Sequence, residues 1–359
     1  MGEELVGAGE IAAAASRLAG LVLRTPLVAL GTTGVLLKAE SLQASGSFKL
    51  RGALNSMLVL DDEARRRGVV AHSSGNHAIA VALAGRTLGI GVTIVMPSDA
   101  PAVKLQRTTD LGATVVLVGP ESDVRRRRAD EIAVADGLTM IEPYDSRSVL
   151  AATATIGEEI VADLGDRASR STIYVPVSGG GLAGGVAAGA KLRCPDVQVV
   201  GVEPEVAADA LASRRAGRRV ALPAEQMART IADGLRVQQV GELNWPHLDA
   251  YLDDIVTVTE GQIRDAMRKV AQGAGLVAEP SAAVSVAAAI AGTSIPHPDS
   301  TRVAVLTGCN VDASLLADVI SEGGGATPTR HPSRQTDVPA QAEVPRPVGL
   351  GAVELDVVG

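Results

Sequence analysis

A lysine becomes a nucleophile toward a carbonyl only when its amine is neutral at working pH, and that takes partial desolvation. This chain of 359 residues offers few candidates, because only five of its 33 basic side chains are lysines and the rest are arginines. Lys38 closes a β-rich run, Lys104 and Lys269 fall on helical faces, and Lys191 stands near a helix end. Lys49 differs. It lies in Ser45-Gly46-Ser47-Phe48-Lys49-Leu50-Arg51-Gly52-Ala53, beside the one Phe of the chain. Lysines are mostly exposed, so the residue type alone also suits an ordinary surface position.

Three short loops could serve an anionic cofactor. Ser178-Gly179-Gly180-Gly181-Leu182 follows a β-rich run and opens a helical one. Consecutive glycines let backbone amides converge, and the helix dipole favours an anion there. Its spacing matches neither the dinucleotide fingerprint nor the nucleotide P-loop, and a plain tight turn would use the same residues. Ser73-Ser74-Gly75-Asn76-His77 occupies a similar strand-to-helix junction. It suits either simple helix capping or a cluster of donors for a carboxylate or phenolate. Thr307-Gly308-Cys309-Asn310 ends a further β-rich run.

The elements that must position these loops alternate along the chain. Strand-like runs are Val35–Lys38, Gly68–His72, Val92–Met96, Thr114–Val118, Thr172–Val177, Val197–Glu203 and Arg302–Thr307. Between them lie helical stretches such as Asn76–Gly89, Pro101–Leu111, Val124–Ala135, Leu182–Leu192 and Glu260–Gly275. This alternation predicts an α/β protein with doubly wound, mostly parallel sheets, whose ligands sit at the carboxyl ends of strands. From Ala326 onward prolines recur without periodicity, and 326–359 reads as a flexible tail. The apolar stretch Val348–Val358 would favour a structured extension instead.

Composition narrows the partners. Hydrophobic residues make up 46% and aromatics 1%, so a sizeable core must be built from Ala, Val, Leu and Ile. The formal net charge of -8 argues against nucleic acid. The one basic run, Arg125 to Arg128, reads first as a solvated helix face. Cys194 and Cys309 form no metal-ligand spacing and fit a reducing cytoplasm. No signal segment opens the chain, and no apolar run reaches the roughly 18 residues of a membrane helix.

Ser47-Phe48-Lys49-Leu50-Arg51-Gly52-Ala53 resembles the cofactor-lysine motif of fold-type II pyridoxal-phosphate enzymes, most of all their threonine/serine dehydratase and serine racemase branch. Ser73–His77, Ser178–Leu182, Glu279-Pro280-Ser281 and Thr307–Asn310 agree in the same order, and Thr230–Leu235 also matches; the resemblance spans roughly residues 8 to 322. It implies a large cofactor-binding domain from 8–43 and 148–325, a small domain from 44–147, and a homodimer.

It further implies that Lys49 forms a Schiff base with pyridoxal 5'-phosphate and then acts as a base, beside Phe48 and Glu279. Asn76 would bond the phenolic oxygen, Gly179, Gly180, Gly181 and Leu182 the phosphate, and Thr307 the pyridine nitrogen. Ser73, Ser74, His77 and Arg125 would hold the carboxylate of a small amino-acid substrate. Ser74 also matches the second acid/base of serine racemase-like members. Glu203, the Ala207 carbonyl and Asp209 resemble a site for Mg²⁺ or Ca²⁺, hard ions that take oxygen ligands. First-turn acids at a helix start would look the same.

Some positions depart from the pattern: Ala78-Ile79 after the His, Ser178 at the head of the glycine loop, Ala152-Thr153-Ala154-Thr155, and Thr307 and Cys309 where Ser and Gly are frequent. The expected activity is β-elimination from threonine or serine to a 2-keto acid and ammonia. Alternatives are an amino-acid racemase, β-replacement on a specialised metabolite, and a catalytically dead, ligand-sensing relative. Cysteine synthase-type and threonine synthase motifs carry Asp-Arg after the lysine, whereas Leu50-Arg51 stands here.

Overall fold

Among the described residues, ten strands form two sheets. In the computed structural model, residues 5–73, 75–100, 102–119, 121–294 and 300–322 are described. Ser74 and the Pro-rich segment from Ala326 lie outside them. The strands are β1 Leu27–Ala29, β2 Val35–Lys38, β3 Val69–His72, β4 Val92–Pro97, β5 Thr114–Val118, β6 Thr139–Met140, β7 Ser171–Pro176, β8 Gln198–Pro204, β9 Asp254–Val258 and β10 Thr301–Val305. The larger sheet runs β1-β2-β10-β7-β8-β9 and the smaller β5-β4-β3-β6. Only β1, hairpinned onto β2, is antiparallel.

The α/β class expected from the alternation is the one found. Parallel strands covered on both faces must be apolar throughout, and every residue of β7 is buried. Each face of the smaller sheet has its own apolar layer. Val69 and Ala71 join one with Leu50, Leu54 and Ala80, while Val70 joins another with Ala129 and Ile132.

Small residues replace aromatic bulk where helices meet. Helices Arg147–Leu164 and Gly181–Arg193 touch backbone to backbone. A Cβ on Gly189 would lie 2.0 Å from the Ala154 carbonyl oxygen, and one on Gly157 2.1 Å from that of Val186. This contact seats the amino end of the second helix, where the glycine loop sits.

The third positioning device is ionic. Arg51, on helix Lys49–Leu58, is fully buried. Its Nε and Nη2 donate to the two Glu40 carboxylate oxygens at 2.9 and 2.7 Å. Its Nη1 and Nη2 donate to Glu159 at 2.7 and 3.0 Å, and Nη1 also reaches Thr155 Oγ1 at 3.1 Å. Burial works against the guanidinium charge, but Glu40 and Glu159 outweigh it and hold the group protonated. Buried Lys38 completes the set, donating to Glu159 and to the Thr25 carbonyl at 2.6 Å each.

Removing one partner of a buried ion cluster leaves the others uncompensated. Arg51→Met is therefore expected to lower unfolding stability by about 3–5 kcal/mol, measured by urea denaturation of the cofactor-free protein.

Candidate active site

Lys49 sits at the first turn of helix Lys49–Leu58, and the loop before it is fastened to the loop after β10. The Phe48 amide donates to the Thr307 carbonyl at 3.0 Å, and the Cys309 amide to the Gly46 carbonyl at 2.9 Å. Ser47 and Gly308 form a β-bridge. Gly46 has φ +76°, and a Cβ there would lie 2.5 Å from Asn310 Oδ1, so this turn requires glycine.

The Lys49 amine donates to the Pro143 carbonyl at 2.6 Å and lies 5.0 Å from the Phe48 ring centroid. Burial pulls its pKa down to about 8, against the Glu279 charge, which pushes it up. Lys38 lies in β2, as its sequence context indicates, and its ammonium is locked in the ionic cluster.

Glu279, whose charge acts on this amine, is itself held by a chain of amides. Asn76 Nδ2 donates to Glu279 Oε1 at 2.6 Å, and Asn310 Nδ2 to Asn76 Oδ1 at 2.7 Å. A Cβ on Gly308 would lie 2.6 Å from Glu279 Oε1 and 3.2 Å from Asn76 Nδ2, so that approach also needs glycine. Thr307 is buried beside them. His77 lines the same cleft as Lys49, Phe48 and Thr153. Burial first, then the Lys49 charge, depress the His77 pKa to about 3, so the ring is neutral. Its Nε2 lies 2.9 Å from the Ile141 carbonyl, which can only accept, so that nitrogen carries the proton.

The glycine loop reaches this cleft through Pro143-Tyr144-Asp145. Pro143 holds the Lys49 amine, and Tyr144 packs on the loop: a Cβ on Gly179 would meet its ring at 2.3 Å, and one on Gly181 its carbonyl at 2.5 Å. Gly180 has φ +91°. The Gly179 carbonyl is turned outward, accepting from the buried Asn244 Nδ2 at 2.6 Å and the Gly241 amide at 3.0 Å. Asp145 accepts from the amides of Glu242 and Leu243 at 2.9 and 3.0 Å. First-turn amides of helix Gly181–Arg193 have no intrahelical acceptor and suit a phosphate. A side chain at any of the three glycines would collide with packed neighbours, Tyr144 at 179 and 181 and Asn244 and Val240 at 180, so the loop keeps its shape only with glycine. Tyr144, Asp145 and Asn244 were missed by sequence reasoning; a tyrosine in so aromatic-poor a chain was the available signal.

Two further proposed groups sit on other elements. Arg125 is on helix Ser122–Asp136, beside Asp99 and His72, while Arg126 pairs with Glu142 and Asp130 and Arg128 with Glu131. Glu203 and Asp209 are buried at the end of β8 and the start of helix Asp209–Ala216. Glu203 accepts from the amides of Ala210 and Leu211 at 3.0 and 2.8 Å, as a helix cap would. Burial, and then the Asp209 charge, push Glu203 well above the usual carboxylate range; burial pushes Asp209 up to about 7. Among the described residues, no group of three or more His, Cys, Asp or Glu side chains converges as a metal site would require. Nor is any described helix long and apolar enough to cross a membrane.

Parallel α/β sheets, a desolvated lysine and a glycine cradle for phosphate define an enzyme that carries a phosphorylated carbonyl cofactor. The family model described as pyridoxal-phosphate dependent enzyme matches residues 18–308, and the chain belongs to that family. It is 39% identical over 289 residues to L-threonine ammonia-lyase of Thermotoga maritima, covering 80% of this chain and 70% of that protein. It resembles the structure of maize serine racemase with a TM-score of 0.81 at 33% identity, over 89% of this chain and 98% of that one. The T.th. threonine deaminase superposes with a TM-score of 0.79 at 38% identity, over 85% and 99% of the two chains.

An amine attacks an aldehyde only in its neutral form, and Lys49 is the candidate here. Loading of the cofactor-free protein, followed by visible absorbance, is expected to accelerate as pH rises through about 8 and to level off above it. A rate still climbing near pH ~10, where ordinary lysines titrate, would contradict the assigned environment.

Proposed function

We propose that this protein eliminates water from a small hydroxy-amino acid, threonine or serine, to give a 2-keto acid and ammonia. The observation that carries the reading is the buried Lys49 amine, its pKa pulled down to about 8, which feels the charge of the Asn76-bonded Glu279 and is linked by Pro143-Tyr144 to the glycine loop. The names of the Thermotoga ammonia-lyase and the T.th. deaminase supply the substrate class.

Pyridoxal phosphate, held covalently by Lys49, supplies an electron sink for bonds broken at the substrate Cα. The residues do the rest. The amides of Gly179, Gly180, Gly181 and Leu182 would hold the phosphate, and Phe48 and Glu279 would contribute to cofactor binding. Asn76 Nδ2 would donate to the phenolic oxygen. Thr307 would offer a neutral hydroxyl to the pyridine nitrogen, which, unlike a carboxylate, would not favour a charged ring. A weaker sink favours expelling hydroxide from the β-carbon over racemisation or transamination. Lys49 removes the Cα proton once its amine is released. Ser73, Ser74, neutral His77 and Arg125 hold the substrate carboxylate. Water added to the released product gives keto acid and ammonia.

In this reading 8–43 and 148–325 make the large domain and 44–147 the small one, and the chain works as a homodimer in a reducing cytoplasm, where Cys194 and Cys309 stay free thiols. The Glu203–Asp209 pair holds Mg²⁺ or Ca²⁺ with the Ala207 carbonyl. Two buried carboxylates with no Lys or Arg partner among the described residues support it, since such a pair must take up either a proton or a cation. Racemisation is the second reading, favoured by the likeness to maize serine racemase.

The test offers L-serine and L-threonine and follows keto acid and the opposite enantiomer together. Keto acid is expected to dominate, and Lys49→Ala to lower kcat by at least about 10²–10⁴-fold; enantiomer forming faster than keto acid would make the protein a racemase. The same assay with a chelator, alongside thermal unfolding, tests the cation site: unchanged Tm and rate would refute it.

A further inference from the structure

Asn76 can serve a phenolate only if its amide nitrogen, not its oxygen, faces the cofactor. An amide can turn over, so something must fix its sense. The fixing group lies two side chains away. Arg107, on helix Ala102–Asp110, donates from Nη1 to Asn310 Oδ1 at 2.5 Å and from Nη2 to the Ser45 carbonyl at 3.3 Å. Asn310 Nδ2 donates to the Ser45 carbonyl at 3.0 Å and to Asn76 Oδ1 at 2.7 Å. Asn76 Nδ2 is then the atom left facing Glu279 and the site.

The chain has one direction because its first member has no acceptor to offer. A guanidinium only donates, so the atom of Asn310 beside Arg107 must be oxygen. Turned over, Asn310 would set donor against donor at Arg107 and acceptor against acceptor at Ser45. With Asn310 fixed, the same logic fixes Asn76. Glu279 also favours this sense while it is ionised, but a protonated Glu279 could donate and lose that preference. Arg107 cannot change roles.

We propose that Arg107 is a positioning residue for the cofactor: acting through Asn310, it sets the Asn76 amide in the sense that donates to the cofactor oxygen. The proposal rests on the cofactor reading above and deepens it. Arg107 touches neither substrate nor cofactor in this account. It also joins helix Ala102–Asp110 to the loop after β10, so one contact ties that helix to the loop carrying Asn310.

The experiment loads cofactor-free Arg107→Ala, Arg107→Lys, Asn310→Ala and the double variant Arg107→Ala/Asn310→Ala with pyridoxal phosphate, reading the dissociation constant and visible spectrum, with thermal unfolding of each unloaded protein. Arg107→Ala is expected to weaken cofactor binding about tenfold and to alter the visible band, at unchanged unloaded Tm. Arg107→Lys, still an obligate donor, restores most of the loss. The double variant binds no more weakly than Asn310→Ala, because both changes break one chain. Arg107→Ala with wild-type affinity and spectrum overturns the proposal, as do effects that multiply in the double variant. Wild-type protein that takes up no cofactor overturns instead the functional reading beneath it.

Discussion

The geometry of the site depends on a buried cation, Arg51. Its fork is held from two directions, by Glu40 in the segment after β2 and by Glu159 on helix Arg147–Leu164. Glu40 follows β2 of the larger sheet, and the helix bearing Glu159 shares an apolar cluster with β7 of that sheet, while Leu50 and Leu54 of the helix bearing Arg51 share one with Val69 and Ala71 of the smaller sheet. A cluster of this kind adds little net stability over an apolar replacement, but it tolerates few alternative geometries. We take its value here to be register: with the helix fixed in rotation and height, Lys49, two residues before Arg51, has its amine placed against Pro143.

The second constraint is space. With a single Phe and few other aromatics, the core gains density by bringing backbones together rather than by stacking rings. The close pair Arg147–Leu164 and Gly181–Arg193 results, and it carries the glycine cradle on its end. Tyr144 and Asn244 then press on that loop from either side, with Asn244 drawing the Gly179 carbonyl outward. The lysine and the cradle are therefore joined through one short segment, Pro143 to Asp145, rather than each being placed on its own.

The alternation of strands and helices was legible because buried parallel strands must be apolar along their whole length. β1 and β6, of three and two residues, were too short to register, and β9 begins with Asp254, a residue depleted in strands. Lys49 and the glycine loop were legible because their chemistry resides in a local run of residues. The partners that make them work were not. Arg51 to Glu159, Lys49 to Pro143, Asn244 to Gly179 and Arg107 to Asn310 span 65 to 203 positions, and no local pattern foretells such meetings. Lys38 shows the converse. Its strand was read correctly, yet nothing in the sequence marked its ammonium as buried and paired.

The central claim is that Lys49, and no other lysine, binds the cofactor. Borohydride reduction of the pyridoxal-phosphate-loaded protein, followed by peptide mass mapping, tests it without reference to any substrate. The account predicts a stable phosphopyridoxyl mass on the peptide carrying Lys49. The same mass on Lys38, Lys104, Lys191 or Lys269, or on no lysine at all, would contradict it.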